Sequence, residues 1–490
     1  MTKDNAQKAW ILPILVALIG GFMSILDSSI VNVALSTMIT VYHTTPSDIE
    51  WVVTVYMLTL GVVIPFSGWA GDTFGYKKVY LFALAMFTFG SLLCTISWSV
   101  DTLIAARVVQ ALGGGLLMPT MMTMVKRIVP KNNFGTAMGI VGVALLIAPA
   151  LGPTIGGYLV EYVGWKWIFT INLPIGVLAI VLCALFLPQF ERKPAVKLDW
   201  GGAISAVVML FCLLLALSKG NDWGWASPST LSLLAVSVLA FAVFLLFELR
   251  LKNPLLHLRI FRYRNFSAAN IMACITTVGL FSGIFYVPLF LQTVKGLGAL
   301  ETGLIMLPGA LASGLLMPLI GKLYDRVGPK PLAIIGIISL TVTTFQLHGM
   351  DINTDNTTIL WWMVLRGVSM AFASVPAQAA AIDSVADKEA GDATAITNIL
   401  SRVSGSLGIA ALTSVLTARL PGHAAAVTAQ ITAAGLSAAE AAQKIQGLAF
   451  VRSLDDVFLV ASVLTVAGIL PALFLQKEKK ANTEIPVVEL

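Results

Sequence analysis

Charged residues are scarce in this chain. Asp, Glu, Lys and Arg make up 11% of its 490 residues, whereas 57% are hydrophobic. Soluble domains usually contain about 25% charged residues, so this composition excludes an ordinary globular enzyme and predicts a polytopic membrane protein. The net charge of +6 does not point to nucleic acid. The basic residues lie in short clusters between apolar runs, where they meet lipid headgroups and set the topology.

Histidine and cysteine are also few, and their placement argues against a catalytic or metal site. The four cysteines occur singly within apolar runs, without disulfide or metal-ligand spacing, so we interpret them as small apolar residues. The four histidines are isolated from one another, which disfavours a membrane enzyme. No nucleotide-binding loop is present, so the sequence does not predict ATP as an energy source. The histidines are His43, His257, His348 and His423.

Long hydrophobic runs, in contrast, are abundant. Fourteen of them are long enough to cross about 30 Å of hydrocarbon, and we number them spans 1 to 14. They cover residues 10–37, 48–70, 77–98, 101–127, 135–160, 166–187, 198–218, 228–250, 265–293, 301–322, 329–349, 357–383, 391–418 and 453–475. With the N-terminus in the cytoplasm, most of the 31 Lys and Arg residues fall in inner segments. This bias predicts that both termini are cytoplasmic.

One acidic residue lies deep within the first span. Asp27 is the only charged residue between Trp10 and Thr37. A carboxylate in hydrocarbon costs about 3 kcal/mol or more on insertion scales, so it is a functional-site hypothesis by default. Two interpretations stay open. The carboxylate is either satisfied by Ser24, Ser28 or a neighbouring helix, or it is a proton-exchange site; we favour the second.

The sequence contains an internal repeat. The turn between spans 2 and 3 reads Gly68-Trp-Ala-Gly-Asp72-Thr-Phe-Gly75-Tyr-Lys77-Lys78. The turn between spans 10 and 11 reads Gly321-Lys322-Leu-Tyr-Asp325-Arg326-Val-Gly328-Pro-Lys330. A duplicated half accounts for the match, with spans 7 and 8 inserted between two equivalent six-helix bundles. The repeated turns either only fix the topology or act as a gating brace, and we favour the brace. The candidate gating residues are Gly68, Asp72, Gly75, Lys77, Lys78, Asp325 and Arg326.

We therefore predict an all-α polytopic membrane protein with three regions. Residues 1–190 form the N-terminal six-helix bundle, and residues 191–264 hold the two inserted helices and a cytoplasmic linker. Residues 265–490 form the C-terminal bundle. The linker over 250–266 mixes basic and apolar residues, which is typical of an interfacial amphipathic segment; a lipid-binding regulatory role is the alternative. The outer loop at 420–450 is Ala-rich and predicts one or two short helices forming a hairpin lid, with disorder as the alternative.

These features resemble the major facilitator superfamily. The repeated turn is similar to its signature, and Arg107-Val-Val-Gln110-Ala-Leu-Gly113-Gly114-Gly115 is similar to its fourth-helix motif. Span 5 resembles the antiporter motif, found chiefly in exporters, through Ala148-Pro149-Ala-Leu-Gly152-Pro153-Thr-Ile-Gly156-Gly157. Further segments resemble the fourteen-span drug:proton antiporters of the EmrB/QacA type: Leu26 to Leu35, Trp165 to Gly176, and Asp199-Trp200-Gly201. The resemblance covers essentially the whole chain.

The resemblance implies the major facilitator fold, with 14 transmembrane helices, and a proton-driven exporter of amphipathic, often cationic, drug-like compounds that works by alternating access. It implies the bacterial cytoplasmic membrane as the location and no cofactor apart from the proton gradient. The expected partners are a small-molecule substrate, protons and lipid, and nucleic acid is not expected. Whether an accessory periplasmic protein takes part is left open. The chain is expected to be a monomer. Dedicated export of one metabolite, lipid or siderophore is the first alternative. A proton-coupled peptide importer is disfavoured, because span 1 contains no Glu-x-x-Glu-Arg.

Several side chains are assigned candidate roles. We expect Asp27 and Arg107 to take part in proton coupling, with a fixed brace to span 1 carbonyls as the alternative for Arg107. Arg402 either braces the cytoplasmic gate, which we favour, or attracts anionic groups of a substrate. The resemblance implies that the antiporter motif seals the bundle against proton leak. The motif comprises Gly152, Pro153, Gly156 and Gly157. Candidate cavity residues are Asn32, Tyr56, Gln110, Phe281, Phe285, Tyr286, Gln292, Met370, Phe372 and Asn398.

Overall fold

The computed structural model describes residues 10–190, 198–251, 254–431 and 438–477, and these segments contain helices and turns but no strand. They include 13 helices that are long and apolar enough to cross a membrane, or 14 when one bent pair counts as a single span. The predicted all-α class and the fourteen spans are therefore confirmed. The basic segments at 191–197 and near both termini lie outside the described residues.

We number the helices α1 to α14 in the order of the predicted spans. Two of them have two parts: α2 bends by 55° where Pro65 cannot donate a backbone hydrogen bond, and α14 is interrupted near Gly468. Their bounds are α1 Ile11–Tyr42, α2 Pro46–Val63 with Phe66–Phe74, α3 Tyr76–Ile96, α4 Val100–Ile128, α5 Phe134–Tyr158, α6 Asn172–Phe186, α7 Trp200–Trp223, α8 Pro228–Arg250, α9 Arg264–Thr293, α10 Ala299–Val327, α11 Pro329–Gln346, α12 Asn356–Asp383, α13 Ala390–Ile431, and α14 Ala438–Val466 with Ile469–Phe474.

The helices alternate in direction, so the turns α2–α3, α4–α5, α10–α11 and α12–α13 share one side of the molecule. We call this side the basic face and the other the opposite face. On the opposite face, α4 begins with a reciprocal cap in which Ser99 and Thr102 each bond the backbone N–H of the other.

The two six-helix bundles, α1–α6 and α9–α14, meet along α5 and α10. Glycines make this close contact possible: a Cβ at Gly135 or Gly321 would overlap the carbonyl oxygen of the other residue, and one at Gly139 would overlap the carbonyl of Met317. The inserted helix α7 packs against α2 of the first bundle and α13 of the second. The two-bundle arrangement with an inserted pair matches the prediction.

The outer segment 420–450 differs from the expected short helices. Helix α13 continues without interruption to Ile431, and α14 already begins at Ala438, so the described part of this segment extends the two spanning helices. The high helix propensity of its alanines explains why both helices continue into this segment. Residues 432–437, where a hairpin lid would turn, lie outside the described residues.

The linker after α8 has the amphipathic character that its sequence indicates. Leu256 and Ile260 are buried, whereas Arg259 and Arg262 are exposed. The linker also contacts the start of α13, because His257 Nδ1 lies 2.8 Å from Asp392 Oδ2. Residues 252 and 253 lie outside the described range.

Candidate functional site

Asp27 lies at the centre of a buried polar network in the first bundle. Its side chain is 1% exposed, and Arg107 Nη1 donates to its Oδ2 at 2.5 Å. Its Oδ1 accepts from Gln110 Nε2 at 2.8 Å and from Asn172 Nδ2 at 3.0 Å. The carboxylate is thus held by one cation and two amides from α4 and α6. The sequence suggests Ser24, Ser28 or a neighbouring helix as hydrogen-bond partners of Asp27. The donors come from neighbouring helices, whereas Ser28 bonds the Ser24 carbonyl within α1.

Arg107 connects three helices of this bundle. Besides Asp27 on α1, its guanidinium donates to Gln110 Oε1 at 2.6 Å and to the Val52 carbonyl of α2 at 3.3 Å. The aromatic ring of Tyr56 covers it, with the centroid 3.7 Å from Cζ. These contacts fit both interpretations of Arg107, as a partner of Asp27 and as a brace, because it pairs with Asp27 and also bonds a backbone carbonyl. That carbonyl belongs to α2 instead of α1.

Two members of the network were not assigned a role from the sequence. Asn172 begins α6, and Ser91 on α3 accepts from Gln110 Nε2 at 2.8 Å. Each is a neutral polar residue within a predicted span. In a sequence, however, a single hydroxyl or amide is weak evidence, because helix backbones satisfy such groups locally.

The antiporter motif of α5 packs against the turn of α1 that follows Asp27. Pro153 has no N–H, so the Pro149 carbonyl four residues earlier loses its helical partner. Ser29 compensates for this loss, because its Oγ donates to that carbonyl at 2.8 Å. The α1 segment that holds Asp27 is thereby linked to Pro149, which also lines the cavity described below.

The glycines of this motif differ in what surrounds them. A Cβ at Gly152 would overlap Ser29 Oγ, and one at Gly156 would lie 3.1 Å from the Ile30 carbonyl oxygen. Among the described residues, no atom lies within 4 Å of a Cβ placed on Gly157. Close packing of α1 on α5 therefore requires Gly152 and Gly156, and Gly157 takes no part in it.

The second copy of the repeated turn connects the bundles at the basic face. Asp325, at the end of α10, accepts from the backbone N–H groups of Gly135 and Thr136 at 2.9 and 3.0 Å, and from Thr136 Oγ1 at 2.9 Å. It therefore caps the start of α5 in the other bundle, where a carboxylate also meets the positive end of the helix.

The first copy is placed against α13, the counterpart of α5. Asp72 accepts from Arg127 Nη2 at 3.0 Å and from the Tyr76 hydroxyl at 3.2 Å. Gly68 lies against the backbone of Gly391, so that a Cβ there would be 3.3 Å from the Gly391 carbonyl carbon. Gly75 adopts φ 92°, a left-handed conformation that favours glycine.

Further contacts between the bundles lie beside these turns. Lys126 of α4 pairs with Asp383 of α12 at 3.1 Å, and the hydroxyls of Thr123 and Thr394 are 2.6 Å apart. Of the other predicted gating residues, Lys77 donates to the Leu187 carbonyl within its own bundle at 2.6 Å. Lys78 and Arg326 are exposed.

A cavity of about 590 Å³ lies between the bundles. Helices α1, α2, α4, α5, α7, α9, α12 and α13 line it, and it extends from Gln378 and Asn398 to Asp222 and Thr413 near the opposite face. Such a volume suits a drug-sized molecule. Asp27 does not line the cavity. The predicted cavity residues that do line it are Phe281, Phe285, Met370 and Asn398.

The remaining predicted cavity residues lie elsewhere. Tyr56 and Gln110 belong to the Asp27 network, and Tyr286 is buried, with its hydroxyl 2.8 Å from Thr413 Oγ1. Asn32 and Gln292 are exposed, and Phe372 is partly buried against the hydrophobic core instead of lining the cavity. Residues with no role assigned from the sequence also line the cavity, above all Leu214, Leu217, Ser218, Asn221 and Asp222 of the inserted helix α7.

The second bundle holds a buried arginine in a neutral setting. Arg366 on α12 donates to Thr344 Oγ1 at 2.7 Å, to Ser282 Oγ at 3.0 Å and to the Gly279 carbonyl. Among the described residues, no carboxylate pairs with it. The buried carboxylate–guanidinium pair is therefore a feature of the first bundle.

Comparison with known proteins gives concordant results. The family model described as Major Facilitator Superfamily matches residues 17–409. The MFS-type transporter YhcA of Bacillus subtilis (strain 168) is 35% identical over 86% of this chain and 79% of its own length. The lincomycin resistance protein LmrB of Listeria monocytogenes is 30% identical over 97% of this chain and 99% of its own length. The solved structure of the human organic anion transporter MFSD10 (TETRAN) has a TM-score of 0.61 over 93% of this chain and 99% of that one; at 13% identity, the similarity is one of fold.

Proposed function

We propose that this chain, which belongs to the major facilitator superfamily of transporters and is not an enzyme, is a proton-driven antiporter that exports amphipathic drug-like compounds. Its similarity to a lincomycin resistance protein over nearly its whole length supports drug export. The observation that carries the proton-coupling part is the buried pair of Asp27 and Arg107. We also propose the bacterial cytoplasmic membrane as its location, with both termini cytoplasmic, so that the basic face is the inner one.

The carboxylate of Asp27 is suited to carry the proton, because its charge state determines whether Arg107, Gln110 and Asn172 keep their hydrogen-bond acceptor and Arg107 its counter-charge. When it is ionised, it balances Arg107 and accepts from Gln110 and Asn172. When it is protonated, the guanidinium loses its counter-charge in a buried site, which is strongly unfavourable. Protonation therefore favours a different arrangement of α1, α4 and α6.

The α1–α5 contact provides a route from the proton site to the substrate cavity. Ser29 and Ile30 pack on Gly152 and Gly156, and Ser29 bonds the carbonyl of Pro149 in the cavity wall. A shift of α1 after protonation would change that wall directly. Because Asp27 does not itself line the cavity, proton and substrate occupy separate sites and are coupled through helix packing.

The contacts at the basic face correspond to one state of an alternating-access cycle. Asp325 on the start of α5, Lys126 with Asp383, and Thr123 with Thr394 join the two bundles there. The cavity extends toward the opposite face. With the proposed orientation, this is the outward-facing state, and export requires these contacts to break so that the substrate enters from inside.

The function is tested in liposomes that contain the purified chain. With an imposed proton gradient, we expect wild type to accumulate lincomycin or the amphipathic anion 1-anilinonaphthalene-8-sulfonate, and Asp27→Asn to lose gradient-driven accumulation while still binding the compound. Asp101→Asn is the matched control, because Asp101 is an exposed carboxylate at the start of α4. Undiminished gradient-driven transport by Asp27→Asn would refute proton coupling through this residue. Transport of neither compound, with robust transport of a single metabolite, would favour the dedicated exporter.

A further inference from the structure

Arg402 differs from the other two intramembrane arginines in lacking a strong acceptor. It lines the cavity from α13, and its Nη1 lies 3.7 Å from the sulfur of Met57 on α2. A thioether sulfur is only a weak acceptor. Among the described residues, no carboxylate lies within ion-pairing distance of Arg402, whereas Arg107 pairs with Asp27 and Arg366 has three oxygen acceptors.

We infer that Arg402 anchors an anionic group of the substrate, so that the exporter takes amphipathic compounds that carry a carboxylate or a sulfonate. The inference rests on the proposed export function and specifies its substrate class. An arginine at membrane depth must meet an acceptor, a counter-charge or water. The planar guanidinium fork matches the oxygens of such an anion and binds them with two parallel hydrogen bonds.

The one acidic residue of the described cavity lining, Asp222, is too far away to neutralise Arg402. Asp222 lies at the mouth, where its carboxylate is 3.4 Å from Lys219, which also pairs with Glu50. Asn221 donates to the Ala410 carbonyl, so this end of α7 is level with Ala410 on α13. At 1.5 Å of rise per residue, Arg402 lies roughly 12 Å deeper than Ala410. The inner part of the cavity is therefore positive.

The rest of the lining suits the apolar body of such a compound. Phe281, Met118, Leu145 and Leu214 contribute apolar surface around the cavity. A compound with its anionic end at Arg402 would place its apolar part among these residues. This arrangement explains why the substrate should be amphipathic as well as anionic.

The alternative role of Arg402, a brace of the cytoplasmic gate, is not supported by its contacts. The bonds that α13 makes at the basic face come from its first turns, as in the pair Thr394–Thr123. Arg402 lies roughly 18 Å along α13 from its first residue, Ala390. Within the described residues, it bonds no carbonyl or carboxylate of the first bundle.

Two dyes with one carbon skeleton test the inference. They are 1-anilinonaphthalene-8-sulfonate and its uncharged parent, N-phenyl-1-naphthylamine. Binding to the full chain is measured in nanodiscs of uncharged phosphatidylcholine, without a proton gradient and after subtraction of empty nanodiscs. We expect wild type to bind the sulfonate at least about tenfold more tightly, and Arg402→Gln to lose about that factor for the sulfonate only. Arg402→Lys should retain part of the preference, because it keeps the charge but loses the fork.

The controls separate an anion site from a structural role. Arg259→Gln makes the same change at an exposed arginine of the linker, outside the cavity, and should leave the preference intact. Equal affinity of wild type for both dyes would overturn the inference, and this result needs no variant to fold. An unchanged preference in Arg402→Gln, or an equal loss for both dyes, would also overturn it. The proposed function can fail independently of this inference. Anion-selective binding without proton-driven transport would contradict only the proposed export function. Proton-driven transport without a preference for the anionic dye would contradict only the role of Arg402.

Discussion

The packing of α1 on α5 makes a sharp prediction about two glycines of one motif. Replacing Gly152 by alanine places a Cβ 2.5 Å from Ser29 Cβ and in overlap with Ser29 Oγ. Replacing Gly157 by alanine adds the same methyl group where no described atom lies within 4 Å. The two variants have identical chemistry and nearly the same position in the chain, so Gly157→Ala is a matched control for Gly152→Ala.

The cost of Gly152→Ala follows from two effects. The new carbon is about 1 Å too close to Ser29 Cβ, since non-bonded carbons rest roughly 3.5–4.0 Å apart. Overpacking of this kind costs about 1–3 kcal/mol. Ser29 must also rotate away, which leaves the Pro149 carbonyl without its donor and costs about 1 kcal/mol or more. We therefore expect a loss of about 2–4 kcal/mol for Gly152→Ala and less than about 0.5 kcal/mol for Gly157→Ala.

Thermal unfolding of the purified variants in one detergent measures the difference. Gly152→Ala should unfold at a clearly lower temperature than Gly157→Ala, which should match wild type. The double variant Ser29→Gly with Gly152→Ala should recover part of the loss, because removing the Ser29 side chain makes room for the new methyl group. Equal melting temperatures for the two single variants would show that α1 does not pack on α5 in this way.

Two further predictions concern the gate and the proton site. Asp325→Ala removes the cap that joins the bundles at Gly135 and Thr136, so the basic face should open more often. In a variant whose native cysteines are replaced, a maleimide should then label Thr394→Cys several times faster than it does without Asp325→Ala. Unchanged labelling would contradict the bracing role of Asp325. Asn172→Leu removes one of the three donors to Asp27, so the carboxylate is held less firmly and proton-driven transport should fall while the compound is still bound. Unchanged transport would exclude Asn172 from the proton site.

The large features could be predicted from the sequence because they depend on local patterns. The fourteen spans follow from apolar length, and the equivalence of the two halves follows from the repeated turn. Asp27 was identified because a lone carboxylate within an apolar helix is costly. The partners of Asp27 could be predicted only in part: Arg107 carries a charge and was found, whereas Asn172 and Ser91 are neutral and were not.

The cavity was predicted less well, for a physical reason. Which face of an apolar helix lines a cavity depends on tertiary packing, and in a helix surrounded by lipid both faces are apolar. Tyr56 and Tyr286 were therefore expected in the cavity and lie in buried polar contacts instead. The contribution of α7 was missed because an inserted pair has no counterpart in the repeat. The extension of α13 was missed because length in hydrocarbon does not limit an Ala-rich helix in water.

Proton release on substrate binding tests the central claim most directly. Purified chain in weakly buffered detergent solution is mixed with a saturating concentration of a transported compound, and the proton change is read with a pH indicator. Wild type should release protons in proportion to the bound compound, whereas Asp27→Asn should bind the compound and release none. Equal release by wild type and Asp27→Asn would contradict the account, because another group would then carry the proton.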